Sequence, residues 1–194
     1  MDIISHGFWA GTVYKAGHGD KSPNHEKKTN FFLFIFWSVF PDIISFGLFF
    51  LWIIVLVIGS GFNFSLLPDH MKTINPSEPP ASSDFMPIFS LTSAIYSASH
   101  SAVIFLLVFG LFFFFLKTPP WTLLGWLLHI LIDIPTHSYQ FYPTPFLWPI
   151  SGFKVYGISW STPWFLILNY SAMILVYFLF WRRKKKKPLL VLKK

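Results

Sequence analysis

Residues 31–60 read FFLFIFWSVFPDIISFGLFFLWIIVLVIGS, and Asp42 is the single formal charge among them. A stretch this long and this apolar reads as a segment that crosses a bilayer. As one helix it extends about 45 Å, more than the ~30 Å hydrocarbon core, so it is expected to tilt, or to kink or break at Pro41, whose ring has no N–H for the helical ladder. Two further runs, 85–116 and 163–181, contain no Asp, Glu, Lys or Arg at all. Working outward, the apolar segment 121–134 precedes Pro135, and a short segment 3–14 opens the chain. The latter is too short to span, but Gly7 and Gly11, four residues apart, give it a small-residue face for close helix packing. The expected fold is all-α: a polytopic integral membrane helical bundle of about four crossings, preceded by a short N-terminal helix.

Composition points the same way. The chain has 194 residues, the size of one domain, with 25 Phe, 9 Trp and only 12% charged residues, too little polar surface for a soluble fold of this length. The formal charge of +7 comes from basic residues lying between and after the apolar runs rather than interleaved with aromatics, which argues against nucleic acid as a partner. The block Arg182-Arg183-Lys184-Lys185-Lys186-Lys187 follows an apolar run directly, so 1–181 reads as one membrane-embedded domain and 182–194 as a basic tail on the cytoplasmic side. With four crossings, Lys15, Lys21, Lys27, Lys28 and Lys117 fall on the tail's side, and the bias agrees without counting the tail. Cysteine is absent, which excludes disulfides, thiolate metal sites and a cysteine nucleophile. The opening Met1-Asp2 lacks a basic region before its apolar stretch, so no cleavable leader is expected.

The connections are legible too. Segments 15–30 and 61–84 read as polar loops, the second through its prolines and serines. The Ser/Thr-rich first half of 85–116 suggests a re-entrant or interfacial segment ahead of a span over 101–116. Pro119-Pro120 marks a turn, 138–161 has the Tyr, Trp and Pro content of an interfacial loop, and Thr162-Pro163 is a helix start.

Against this apolar background, two of the eight acids, Asp42 and Asp133, sit inside apolar sequence. A carboxylate at membrane depth is costly unless paired, so both are functional candidates. Of the seven histidines, His18, His25 and His70 lie in polar segments, whereas His6, His100, His129 and His137 have apolar or small neighbours. The densest grouping is His129-Ile130-Leu131-Ile132-Asp133-Ile134-Pro135-Thr136-His137. His129 and Asp133 share a helix face and can bind one metal ion, as imidazole and carboxylate do for zinc. His137 is about 12 Å along an unbroken helix from His129, so either Pro135 turns it inward or the two histidines serve adjacent ions. His6, Asp42, His100, His129, Asp133 and His137 suffice for one or two divalent-metal sites, zinc ahead of manganese or iron, with Asp42 and Asp133 as candidate proton acceptors. Intramembrane Asp and His also mark ion pathways, so a small ion or proton transporter stands as the alternative, beside a scaffold whose polar groups only join helices. H-E-x-x-H, P-loop and G-x-S-x-G patterns are missing; Gly157-Ile158-Ser159-Trp160-Ser161 fails the last at its final position.

The opening Met1-Asp2-Ile3-Ile4-Ser5-His6, then Phe40-Pro41-Asp42, Ser99-His100-Ser101, and Gly125-Trp126-Leu127-Leu128-His129 through Asp133 to Thr136-His137 resemble, in this order, the membrane-bound predicted metal-dependent hydrolase family, also called YdjM-like. The resemblance runs from residue 1 to about 181 and implies an all-helical membrane protein with a His/Asp metal site. It also implies a distant similarity to the zinc-dependent phospholipase C superfamily, hence hydrolysis of a phosphoester or lipid-like substrate in contact with the bilayer. By position it carries over His6, Asp42, His100, His129 and Asp133 as metal ligands, with His137 beside them. The chain departs from the family around Ser97-Ala98-Ser99-His100-Ser101, which lacks the His-Arg-Gly often found before the central histidine.

Overall fold

The computed structural model describes residues 1–18, 25–59, 87–139 and 142–186, and the described residues are helical apart from short connections and the segment 137–162. The helices are α1 (Ile3–His18), α2 (His25–Gly59), α3 (Pro87–Ser99), α4 (Ala102–Leu116), a 3-10 turn (Trp121–Leu123) leading into α5 (Leu124–Thr136), and α6 (Pro163–Lys186). Two of them are long and apolar enough to cross a membrane, over Lys28–Gly59 and Pro163–Arg183. A third candidate is the pair α3 and α4 taken together, bent by 62° at His100 and Ser101, near the point where the sequence places the start of a span. The fourth apolar segment forms the shorter helix Trp121–Thr136.

Several boundaries differ from the sequence expectation. The polar loop expected over 15–30 is largely helix: α1 runs on to His18 and α2 begins at His25. Lys and His at the ends of these helices look like loop residues, but a helix end outside the hydrocarbon tolerates them freely. Pro41 lies inside α2 and does not divide it, and Pro135 lies inside α5, one residue before its end. The loop expected over 61–84 lies outside the described residues.

Close packing against α2 locates the core. The Gly7 and Gly11 face of α1 meets Val39 and Ile35 of α2, and a Cβ on Gly11 would stand 2.8 Å from the Tyr177 hydroxyl of α6. Across α2, a Cβ on Gly125 would lie 2.1 Å from the Phe34 carbonyl oxygen, so only glycine lets α5 approach the α2 backbone there. Phe105, Leu123, Trp126 and Ile130 form the buried apolar cluster beside this contact. On the outside, α4 presents Phe115 at 74% exposure together with Leu106 and Phe114, an apolar surface suited to lipid rather than water. A polar chain ties α1 to α6: Trp9 donates to Asn169 Oδ1 at 2.8 Å, Asn169 donates to Ser5 Oγ at 2.7 Å, and Ser5 Oγ donates to Asp2 at 2.7 Å.

Candidate metal centre

One face of α5 carries Gly125, His129 and Asp133 at four-residue intervals, and His137 follows four residues on, just past the helix end. Gly125 brings the helix against α2, and the next turns project the other three toward α1, α2 and the break between α3 and α4. The structure gathers all six residues expected from the sequence. His6, His100, His129 and Asp133 are fully buried, and Asp42 and His137 nearly so.

Asp133 is the hub, and its two oxygens divide the histidines. Oδ2 lies 3.1 Å from His129 Nε2 and 3.6 Å from His100 Nε2. Oδ1 lies 2.9 Å from His6 Nε2 and 3.6 Å from His137 Nε2, and it accepts from the Met1 α-amino group, which also stands 2.8 Å from His137 Nε2. Asp42 closes the first group: Oδ1 is 3.4 Å from His100 Nε2 and 3.8 Å from His129 Nε2. Ligand atoms of Asp42, His100, His129 and Asp133 all lie within 4.8 Å of one another. His6 and His137 fall outside that quartet, on the other oxygen of Asp133. His137 gets there by leaving the helix with extended backbone at φ −113°, ψ 140°, not by a break at Pro135.

Backbone carbonyls fix the orientation of three imidazoles. His129 Nδ1 is 2.7 Å from the Ser38 carbonyl, His100 Nδ1 is 3.1 Å from the Tyr96 carbonyl, and His137 Nδ1 is 2.9 Å from the Tyr142 carbonyl. A carbonyl oxygen only accepts, so each Nδ1 donates, and in the neutral imidazole each Nε2 then offers a lone pair to the centre. This is the tautomer and the outer hydrogen bond that metal-bound histidines use. It has a sharp consequence, because His129 Nε2 and His100 Nε2 face each other at 3.0 Å. Two lone pairs that close repel unless a proton or a cation lies between them.

The donor set fits a divalent cation. Two neutral imidazoles and two carboxylates balance a charge of +2, and bonds of about 2.0–2.2 Å in tetrahedral array place donor atoms about 3.3–3.6 Å apart, the scale of the distances above. Asp133 Oδ2 and both ring nitrogens of His6 are buried with no hydrogen-bond partner, although His6 Nε2 stands close to Asp133 Oδ1. That contact is near enough for an ion pair but misaligned for a hydrogen bond. Such atoms call for a further ligand-binding partner.

The flanking chain holds this arrangement. Gly157 N, Ile158 N and Trp160 N donate to the His137, Pro135 and Thr136 carbonyls at 3.0, 2.9 and 3.0 Å, capping the end of α5. A Cβ on Gly157 would come within 2.5 Å of the His137 and Pro135 oxygens. The segment that failed as a nucleophile motif is therefore the cap of α5. Sequence reasoning missed this cap, the Met1 amino group and Tyr96. The alternation of apolar and polar residues carries no signal for contacts made through backbone atoms. Tyr96, one helical turn ahead of His100, was within reach of the spacing argument. Compared with family models, curated proteins and solved structures, the chain matches none.

Proposed function

We propose that the chain is a membrane-embedded, metal-dependent hydrolase acting on a phosphoester, with a lipid-like substrate taken from the bilayer. The observation that carries the reading is the pair of Nε2 atoms of His100 and His129, 3.0 Å apart beside two buried carboxylates. Asp42, His100, His129 and Asp133 would hold the first ion, zinc before manganese or iron, and His6 and His137 are placed to hold a second through Asp133 Oδ1. A divalent ion there supplies Lewis acidity toward a phosphoryl oxygen and toward water near neutral pH. The chain's own groups do the rest. With only the first ion bound, Asp133 Oδ1 and His6 Nε2, 2.9 Å apart, and the Asp42 oxygen not bound to that ion would be free to accept and hand on the proton of the attacking water. The apolar helices exclude bulk water, which strengthens each of these interactions. The resemblance to the YdjM-like hydrolases, carried by the same residues, supports the reading.

Two features support a placement in the bilayer. Lys15 sits over the Phe31 and Tyr177 rings, so the C-terminal end of α1, the start of α2 and the basic end of α6 lie together. On α6, Trp164 and Arg182 are about 27 Å apart, close to one hydrocarbon thickness. By the positive-inside tendency the basic end, with the C-terminus, faces the cytoplasm, and the centre lies toward the opposite interface, near the aromatic segment 142–162.

The test is hydrolysis of phospholipids in proteoliposomes by zinc-loaded protein, by Asp133→Asn, and by chelated protein before and after metal return. Activity that needs both the ion and Asp133 supports the proposal. Metal binding without hydrolysis, accompanied by metal flux across the vesicle wall, would transfer the site to ion transport.

A further inference from the structure

His100 and His137 are the two site histidines that no regular helix holds. His100 lies at the 62° bend between α3 and α4, and His137 lies just beyond α5 in extended backbone. Both touch Tyr96. This side chain is 3% exposed and sits one turn before His100 on α3. Its ring stacks on the His100 imidazole, with centroids 3.8 Å apart and planes 26° from parallel, while its own carbonyl accepts from His100 Nδ1. Its hydroxyl reaches the other way, 3.1 Å from His137 Nδ1, and donates to the Tyr142 carbonyl at 2.7 Å. That same carbonyl is the one that orients His137, and Tyr142 is held at φ 41°, a left-handed conformation that a bulky residue adopts only under constraint.

We propose that Tyr96 is a positioning residue of the metal centre, fixing His100 through its ring and His137 through its hydroxyl, so that the two groups of donors around Asp133 keep one geometry. The inference rests on the metal reading above and extends it to a residue that need not touch the ion. A ring without the hydroxyl keeps His100 in place and releases His137; an aliphatic side chain releases both. Partners of this kind alter metal affinity by roughly 10- to 100-fold when removed.

The experiment measures zinc affinity, and the visible d–d absorption of the cobalt(II)-loaded protein, for wild type, Tyr96→Phe, Tyr96→Leu, His137→Ala and Tyr96→Phe/His137→Ala, with melting temperature recorded in parallel. Expected are a roughly 10-fold loss of affinity and an altered cobalt spectrum in Tyr96→Phe at near wild-type melting temperature, with a larger loss in Tyr96→Leu. The double variant should bind no more weakly than His137→Ala alone, because the hydroxyl acts through His137. A Tyr96→Phe protein with wild-type affinity and spectrum, or losses that multiply in the double variant, overturns the positioning role and leaves the metal site standing. A wild type that binds neither ion removes the metal reading and this inference together.

Discussion

Replacing Asp133 by Asn keeps its volume and removes the one charge that faces all four histidines. In wild type, a metal ion at a hundredfold excess over its dissociation constant stabilises the fold by about 2.7 kcal/mol through binding linkage. Removing one partner of a buried charge interaction costs about 3–5 kcal/mol, which weakens binding roughly 150- to 5,000-fold. At the same metal concentration the variant then gains about 0.3 kcal/mol or less. For a chain of this length each kcal/mol moves the melting temperature by about 2–4 °C, so zinc should raise that of wild type by about 5–11 °C and that of Asp133→Asn by about 1 °C or less. Thermal melting in detergent followed by intrinsic tryptophan fluorescence reads this directly, since the chain has 9 Trp and Trp126 is buried beside the centre. Equal zinc-induced shifts in both proteins would refute the reasoning, because the ion would then be held away from Asp133, at surface histidines such as His18.

Three further outcomes follow from packing and placement. Gly125→Ala should destabilise the protein by about 1–3 kcal/mol in thermal melts, because the new methyl meets the Phe34 carbonyl, whereas Gly152→Ala, with open space around it, should be silent. Asn169→Leu removes the links to Trp9 and Ser5 and should cost about 0.6–2 kcal/mol, the range for hydrogen bonds between membrane helices, read by unfolding in denaturing detergent. Because the chain has no cysteine, single-cysteine reporters are clean: Ser161→Cys should react with an impermeant maleimide in intact cells and Arg183→Cys only after permeabilisation. The reverse pattern would invert the proposed orientation.

The long apolar helices were legible in the sequence because hydrocarbon leaves a one-dimensional signal: length without charge. The same signal blurred the ends of α1 and α2, where Lys15, His18 and Lys28 continue helices that composition alone assigns to a loop. Asp42, Asp133 and the four histidines stood out for the complementary reason, since buried polar groups are conspicuous among Phe, Leu and Ile. What the sequence could not give was their division between the two oxygens of Asp133. That depends on the Ser38, Tyr96 and Tyr142 carbonyls, which every residue possesses and no side-chain pattern announces. The glycines divide in the same way. Gly7 and Gly11 were readable as a packing face from their spacing, whereas the needs of Gly125 and Gly157 arise from backbone atoms distant in sequence.

The central claim is that the His/Asp cluster holds a metal ion. Elemental analysis of untagged, detergent-purified wild type beside His129→Ala/Asp133→Ala tests it most directly. One to two equivalents of zinc, manganese or iron per chain in wild type, lost in the double variant, is the predicted result. A wild type that carries no metal, and whose melting temperature is unchanged by adding it, would contradict the account.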